Sequence, residues 1–118
     1  MPDALIYHLC RRAAWEADAH DGLYHGPLKQ AGEDFLHFSP LAQVAESAAL
    51  HCAGLEDLML LEVAARPLGG ALRWEASRGG ALFPHLYGPL PLSAVLRSWD
   101  LPLGKDGRHV FPSELAVS

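Results

Sequence analysis

The chain has 118 residues, half of them hydrophobic, and a formal net charge of −5 from 9 Lys+Arg against 14 Asp+Glu. That length is one domain's worth, able to bury roughly two-thirds of its unfolded surface. An acidic balance argues against a nonspecific nucleic-acid binder, which needs a basic surface, and no stretch approaches the ~20 apolar residues of a membrane span.

The N-terminus, "MPDALIYHLCRR", has an early acidic residue and no apolar run of signal-peptide length. A cytoplasmic protein is expected. Residues 4–10, "ALIYHLC", read as a buried strand, and the alanine-rich residues 11–19 as a short helix. Residues 20–27, "HDGLYHGP", are turn-forming, and residues 28–33 are too short to assign. "DFLHFS" (34–39) alternates: Phe35, His37 and Ser39 share one face, Leu36 and Phe38 the other. Ser39 is positioned to cap a helix with Pro40 at its first position. That helix would run to about Ala53, with Leu41, Val44, Ala45, Ala48 and Cys52 on its apolar face and Gly54 ending it.

The nearly continuous apolar run "DLMLLEVA" (57–64) reads as a central strand covered on both faces. "LRWEA" (72–76) is a further strand, flanked by turns at 67–70 and 77–80. "ALFPHLYGPLPL" (81–92) holds three prolines, a histidine, a tyrosine and a glycine among apolar residues. "AVLRSWDL" (94–101) is a final strand or a short helix. The reading is one compact α+β domain over 1–101 and a weakly patterned C-terminal tail over 102–118.

Cys10 and Cys52 match neither a disulfide framework nor a zinc motif and are expected as reduced core thiols. No histidine pair has zinc-protease spacing, and no metal is expected. His20, His25 and His109 fall in turn-like or tail segments, where solvent is the default, and His51 at a helix boundary. His8 and His37 lie inside apolar strands, where histidine is uncommon. Each is either a core imidazole bonded to a nearby carbonyl or one of two groups converging on a ligand. Ser39 shares the His37 face, so His-x-Ser presents an imidazole and a hydroxyl together. Arg73 and Glu75 share a strand face opposite Trp74, as a solvated edge or as ligand contacts. Pro84 stiffens the chain before His85, and Pro89 and Pro91 stiffen it beyond Tyr87. That loop is expected either to wall a cleft with His85 and Tyr87 or to form a structural bend. Trp99 and Phe111 are expected as exposed aromatics. No nucleophile elbow, phosphate-binding glycine loop or magnesium-type acidic cluster occurs.

Taken together, "IYHLCRRAAWEA", "DFLHFS", "LRWE" and "LFPHLYGPLPL" resemble the signature of a bacterial family of small proteins, the domain of unknown function nine-fifty-two, over residues 5 to about 101. A Tyr-His strand, a helix with Trp, a glycine turn and a His-x-Ser strand also resemble the catalytic half of the tRNA 2′-phosphotransferases, members of the ADP-ribosyltransferase superfamily. That resemblance implies split antiparallel sheets around a cleft for NAD or an ADP-ribose phosphate, with two or three short helices. It implies catalytic places for His8, His37 and Glu75. Arg11 and Arg12 would supply charge to a pyrophosphate, with Ser39, Arg73, His85 and Tyr87 as further ligand contacts. After Tyr7-His8 the chain carries Leu9-Cys10 where those enzymes have Gly-Thr. The alternative is a noncatalytic nucleotide-sensing or protein-interaction module on the same scaffold. No nucleic-acid partner is expected, and oligomeric state is not legible.

Overall fold

The strand "LIYHLCR" alternates between two cores. In the computed structural model, which describes residues 4–26, 35–76 and 80–115, β1 spans Leu5–Arg11. Ile6 and Cys10 enter one hydrophobic cluster with Tyr24, Leu36, Phe38, Met59, Leu61 and Val63. Tyr7 enters a second cluster with Val44, Ala48, Leu58, Leu60 and Leu101. β5 (Leu58–Ala64) pairs antiparallel with β1 and supplies both clusters from alternate residues. Its near-continuous apolar sequence follows from burial on both faces.

The remaining strands and α-helices among the described residues are, in chain order, α1 (Arg12–Asp18), β2 (Ala19–His20), β3 (Leu23–Tyr24), β4 (Leu36–His37), α2 (Leu41–His51), β6 (Leu72–Ala76), β7 (Leu82–Leu86), β8 (Leu90–Pro91) and β9 (Val95–Asp100). The architecture is α+β, and the described residues form three antiparallel sheets in the orders β1-β5-β9, β2-β3-β8 and β4-β7-β6. The turn-like stretch after α1 thus contains two short strands, and "AVLRSWDL" is a strand. Residues 28–33 and most of the "SRGG" turn lie outside the described residues.

Pro84 explains how the first and third sheets meet. In a strand, a residue's N–H and C=O point to the same side. The Pro84 carbonyl accepts from the Phe38 N–H at 3.0 Å, but proline has no N–H to return. The β4–β7 ladder stops there, after the pairs Leu36↔Leu86 and His37↔His85. One residue on, Ser39 exchanges both backbone hydrogen bonds with Tyr7, at 2.8 and 2.7 Å. The chain is handed from β7 to β1 at that bridge.

Ser39 does not cap α2: Pro40 holds the cap position without a side-chain hydrogen bond. With its backbone committed to Tyr7, the Ser39 hydroxyl meets the Ser47 hydroxyl at 2.9 Å. Val44, Ser47 and Ala48 are the buried residues of α2. The C-terminal segment packs by single residues: Leu101 and Leu115 are buried in the second cluster, and Trp99 and Phe111 are partly buried against it. Those two aromatics are therefore not the exposed pair their sequence positions suggest.

A carboxylate lies inside β5. Glu62 is 3 % exposed, and the regular antiparallel register with β9 sets Arg97 directly opposite, just before the ladder shifts at Val63. Arg97 donates from Nε and Nη2 to the two Glu62 oxygens, each at 2.9 Å, and the Tyr7 hydroxyl donates at 2.8 Å. The Arg97 bonds hold the Glu62 carboxyl below its ordinary range against burial, while burial and Glu62 push Tyr7 up to about 12. Glu114 accepts from Arg97 Nη1 and from Trp99 Nε1.

Removing the cation isolates this charge. A buried carboxylate that loses its partner is left uncompensated, so Arg97→Met is expected to lower the urea midpoint, by less than a fully buried pair would because Arg97 is half-exposed. Adding Glu62→Gln should recover part of the loss, both read by urea unfolding at neutral pH. The folded pKa of Glu62 lies below the unfolded one, so its contribution is present above the usual carboxylate range and fades as pH falls through the folded value. The gap between wild type and Arg97→Met should narrow accordingly in acid.

Candidate functional site

Tyr7 and Ser39, the two residues of the bridge, help line a cavity of about 680 Å³. β1 contributes His8 to its lining, β4 contributes His37, and β7 contributes Phe83 and His85. Ser47, His51 and Cys52 line it from α2 and its C-terminal end.

His8 is 7 % exposed, with its ring among Phe38 at 5.0 Å and Tyr24 at 5.7 Å. Burial lowers its pKa to about 4, so it is neutral near pH 7. Its Nδ1 lies 2.6 Å from the His37 carbonyl oxygen. A carbonyl only accepts, so Nδ1 carries the hydrogen and Nε2 holds a lone pair. Among the described residues that Nε2 has no hydrogen-bond partner. His8 is thus a core imidazole bonded to a nearby carbonyl, and it also lines the cavity.

The cavity-lining side of the third sheet carries a polar and aromatic set. Register places His37, His85 and Arg73 side by side across β4, β7 and β6. Phe35 stacks on His85 at 4.2 Å between centroids and lies 4.8 Å from His37 and 5.0 Å from Tyr87. His37 and His85 stand 5.2 Å apart, edge to face. Glu75 Oε1 accepts from the Tyr87 hydroxyl at 2.7 Å and pairs with His85 Nδ1 at 2.9 Å. These bonds, Tyr87 foremost, hold the Glu75 carboxyl below its ordinary range. The Arg73 guanidinium lies over the Tyr87 ring at 4.9 Å.

His37, Arg73, Glu75, His85 and Tyr87 therefore form one cluster, with His8 joined to it through the His37 carbonyl. His8, His37, Ser39, His85 and Arg11 line the cavity; Arg12, Arg73, Glu75 and Tyr87 do not. Neither N-terminal arginine is uncommitted. Arg11 pairs with Asp57 at 2.9 Å, and Arg12 with Asp100 and, at 4.0 Å, Glu16. Their charge is largely answered within the chain. Cys10 is buried, and burial pushes its thiol up to about 12. His109 is not simply solvated: its Nε2 bonds the Leu55 carbonyl at 2.7 Å.

Phe35 was not singled out from sequence, although it shares the alternating face of His37. Among the described residues, no group of three or more His, Cys, Asp or Glu side chains is placed to hold a metal ion. None of their helices is long and apolar enough to cross a membrane.

A family model described as protein of unknown function, DUF952, matches residues 9–98. The crystal structure of protein CC0527 from Caulobacter crescentus superposes with a TM-score of 0.87 at 45 % identity, covering 97 % of this chain and all of that one. The solution structure of the same bacterial protein superposes with a TM-score of 0.75 at 47 % identity, covering 88 % and 90 %. Comparison with curated proteins gives no match.

The locked neutral state of His8 has a proton signature. An unfolded histidine protonates near 6.5, and the folded one near 4. The contribution to stability is whole above about 6.5 and is lost as pH falls through about 4, amounting to about 3 kcal/mol. His8→Phe removes this term. Its urea midpoint should fall less between neutral pH and about pH 4 than that of wild type; an equal fall would contradict the assignment.

Proposed function

Because the chain belongs to the DUF952 family, whose description names no activity, we propose its function from its own geometry: the cavity binds a small nucleotide-type ligand bearing a hydroxylated sugar, of the class of NAD or an ADP-ribose phosphate. The observation that carries this is the His8 imidazole. Nδ1 is tied to a carbonyl, so the group it offers the cavity is a lone pair, suited to a ribose hydroxyl rather than to a phosphate. The aromatic faces of Phe35 and His85 suit a flat heterocycle, and the hydroxyls of Ser39 and Ser47 add neutral polar contacts. The resemblance to ADP-ribosyltransferases implies a cleft for a ligand of this class. In a transfer reaction His8 and His37 would orient the ligand.

A noncatalytic sensing module is the second reading, favoured by one feature. Leu9 and Cys10 line the cavity where the resembled enzymes carry Gly-Thr, so side chains occupy space that glycine would leave for a ligand against the backbone. Binding is common to both readings and is tested first.

Ligand at a hundred times its dissociation constant stabilises by about 2.7 kcal/mol, on the order of ten degrees for a domain of this size. Thermal unfolding with NAD, ADP-ribose and ADP-ribose phosphates should show such a rise in wild type and none in His8→Phe. Equal behaviour of the two proteins, shifted or not, would remove His8 from the site. Turnover of NAD by wild type, lost in the same variant, would decide for the enzyme.

A further inference from the structure

Glu75 stands where the resemblance would put a catalytic carboxylate, yet it does not line the cavity. His85 does, at 6 % exposure. We propose that Glu75 is a positioning residue and His85 the group that meets the ligand: Glu75 holds His85 as the Nδ1–H tautomer, which leaves Nε2 as a second acceptor for a sugar hydroxyl. This deepens the nucleotide-type reading and rests on it for the ligand class.

The geometry is that of an orienting dyad. A carboxylate accepts and does not donate, so the 2.9 Å contact to Oε1 places the hydrogen on His85 Nδ1. The same oxygen takes the Tyr87 hydroxyl, and Arg73 lies against the Tyr87 ring, so the carboxylate is itself held from behind. Phe35 stacks on the imidazole and His37 meets its edge, which limits rotation of the ring. Among the described residues the His85 Nε2 has no hydrogen-bond partner. His8 and His85 thus repeat one device on two strands: Nδ1 tied to an oxygen, Nε2 left as a lone pair. Two such acceptors suit a ligand with several hydroxyl donors. Should a hydroxyl proton transfer, its O–H bond breaks as the Nε2–H bond forms, and Glu75 stabilises the resulting imidazolium. That acceptor role resembles the histidine of a catalytic triad, which its carboxylate orients.

Two measurements test this. In the unliganded protein, nitrogen-15 NMR at a pH above histidine titration reads the tautomer directly. His85 should be Nδ1–H, the reverse of what free histidine prefers in water; the Nε2–H form would overturn the dyad whether or not any nucleotide binds. The second measurement is calorimetric, with ADP-ribose and analogues each lacking one ribose hydroxyl. Wild type should lose about tenfold in affinity for at least one analogue. Glu75→Ala should lose that discrimination, and Glu75→Gln, which keeps an acceptor oxygen for both partners, should restore it. Discrimination unchanged in a folded Glu75→Ala would overturn the positioning role. Wild type that binds none of these probes yet shows the Nδ1–H tautomer would sink the nucleotide reading and uphold the Glu75–His85 pairing.

Discussion

Two backbone hydrogen bonds between Tyr7 and Ser39 hold the molecule's geometry together. Each contributes only about 0.5–1.5 kcal/mol net, but they are where the first sheet takes over the chain from the third. Pro84 favours that handover, because on the β4 side it offers no N–H to return the bond from Phe38. The cavity and the tautomer of His8 follow from the same point. The carbonyl that fixes His8 belongs to His37, two residues before the bridge, so the imidazole is oriented by the seam itself. A site built this way inherits the rigidity of the sheets rather than the mobility of a loop.

Two carboxylates show how differently the fold treats charge. Glu62 lies in the interior, both oxygens bonded by Arg97 and one also by Tyr7, with nothing left to offer a ligand. Glu75 sits half-buried at a cavity edge, engaging His85 and Tyr87 through a single oxygen. Both are held ionised by their partners. The first closes a network, as buried polar groups must. The second passes its influence to an imidazole that is still available on its other side.

Much of this was legible from residue patterns. Alternation and apolar runs located β1, β5 and β6, and the spacing of Leu41, Val44 and Ala48 located α2. The face shared by Arg73 and Glu75, and the stiffness around His85, marked residues that do cluster. What was hidden is nonlocal. The strands β2, β3 and β8 have two residues each and exist only through their partners. Ser39 had the look of a helix cap, but its backbone was already engaged by Tyr7. Glu62 was submerged in an apolar run, and nothing local announces that Arg97, 35 residues on, will face it. The segment after Leu101 lacks periodicity because single side chains such as Leu115, not a repeating face, anchor it.

The Glu62–Arg97 pair also imposes an order on biosynthesis. A ribosome adding roughly 5–20 residues per second takes about two to seven seconds to cover the 35 residues between the partners. During that interval β5 can meet β1, but only with an unanswered charge at its centre. Tyr7, already made, can shelter one oxygen and no more. The nascent chain therefore has reason to stay loosely collapsed until β9 emerges, and the strand that completes the sheet is also the one that permits it to close.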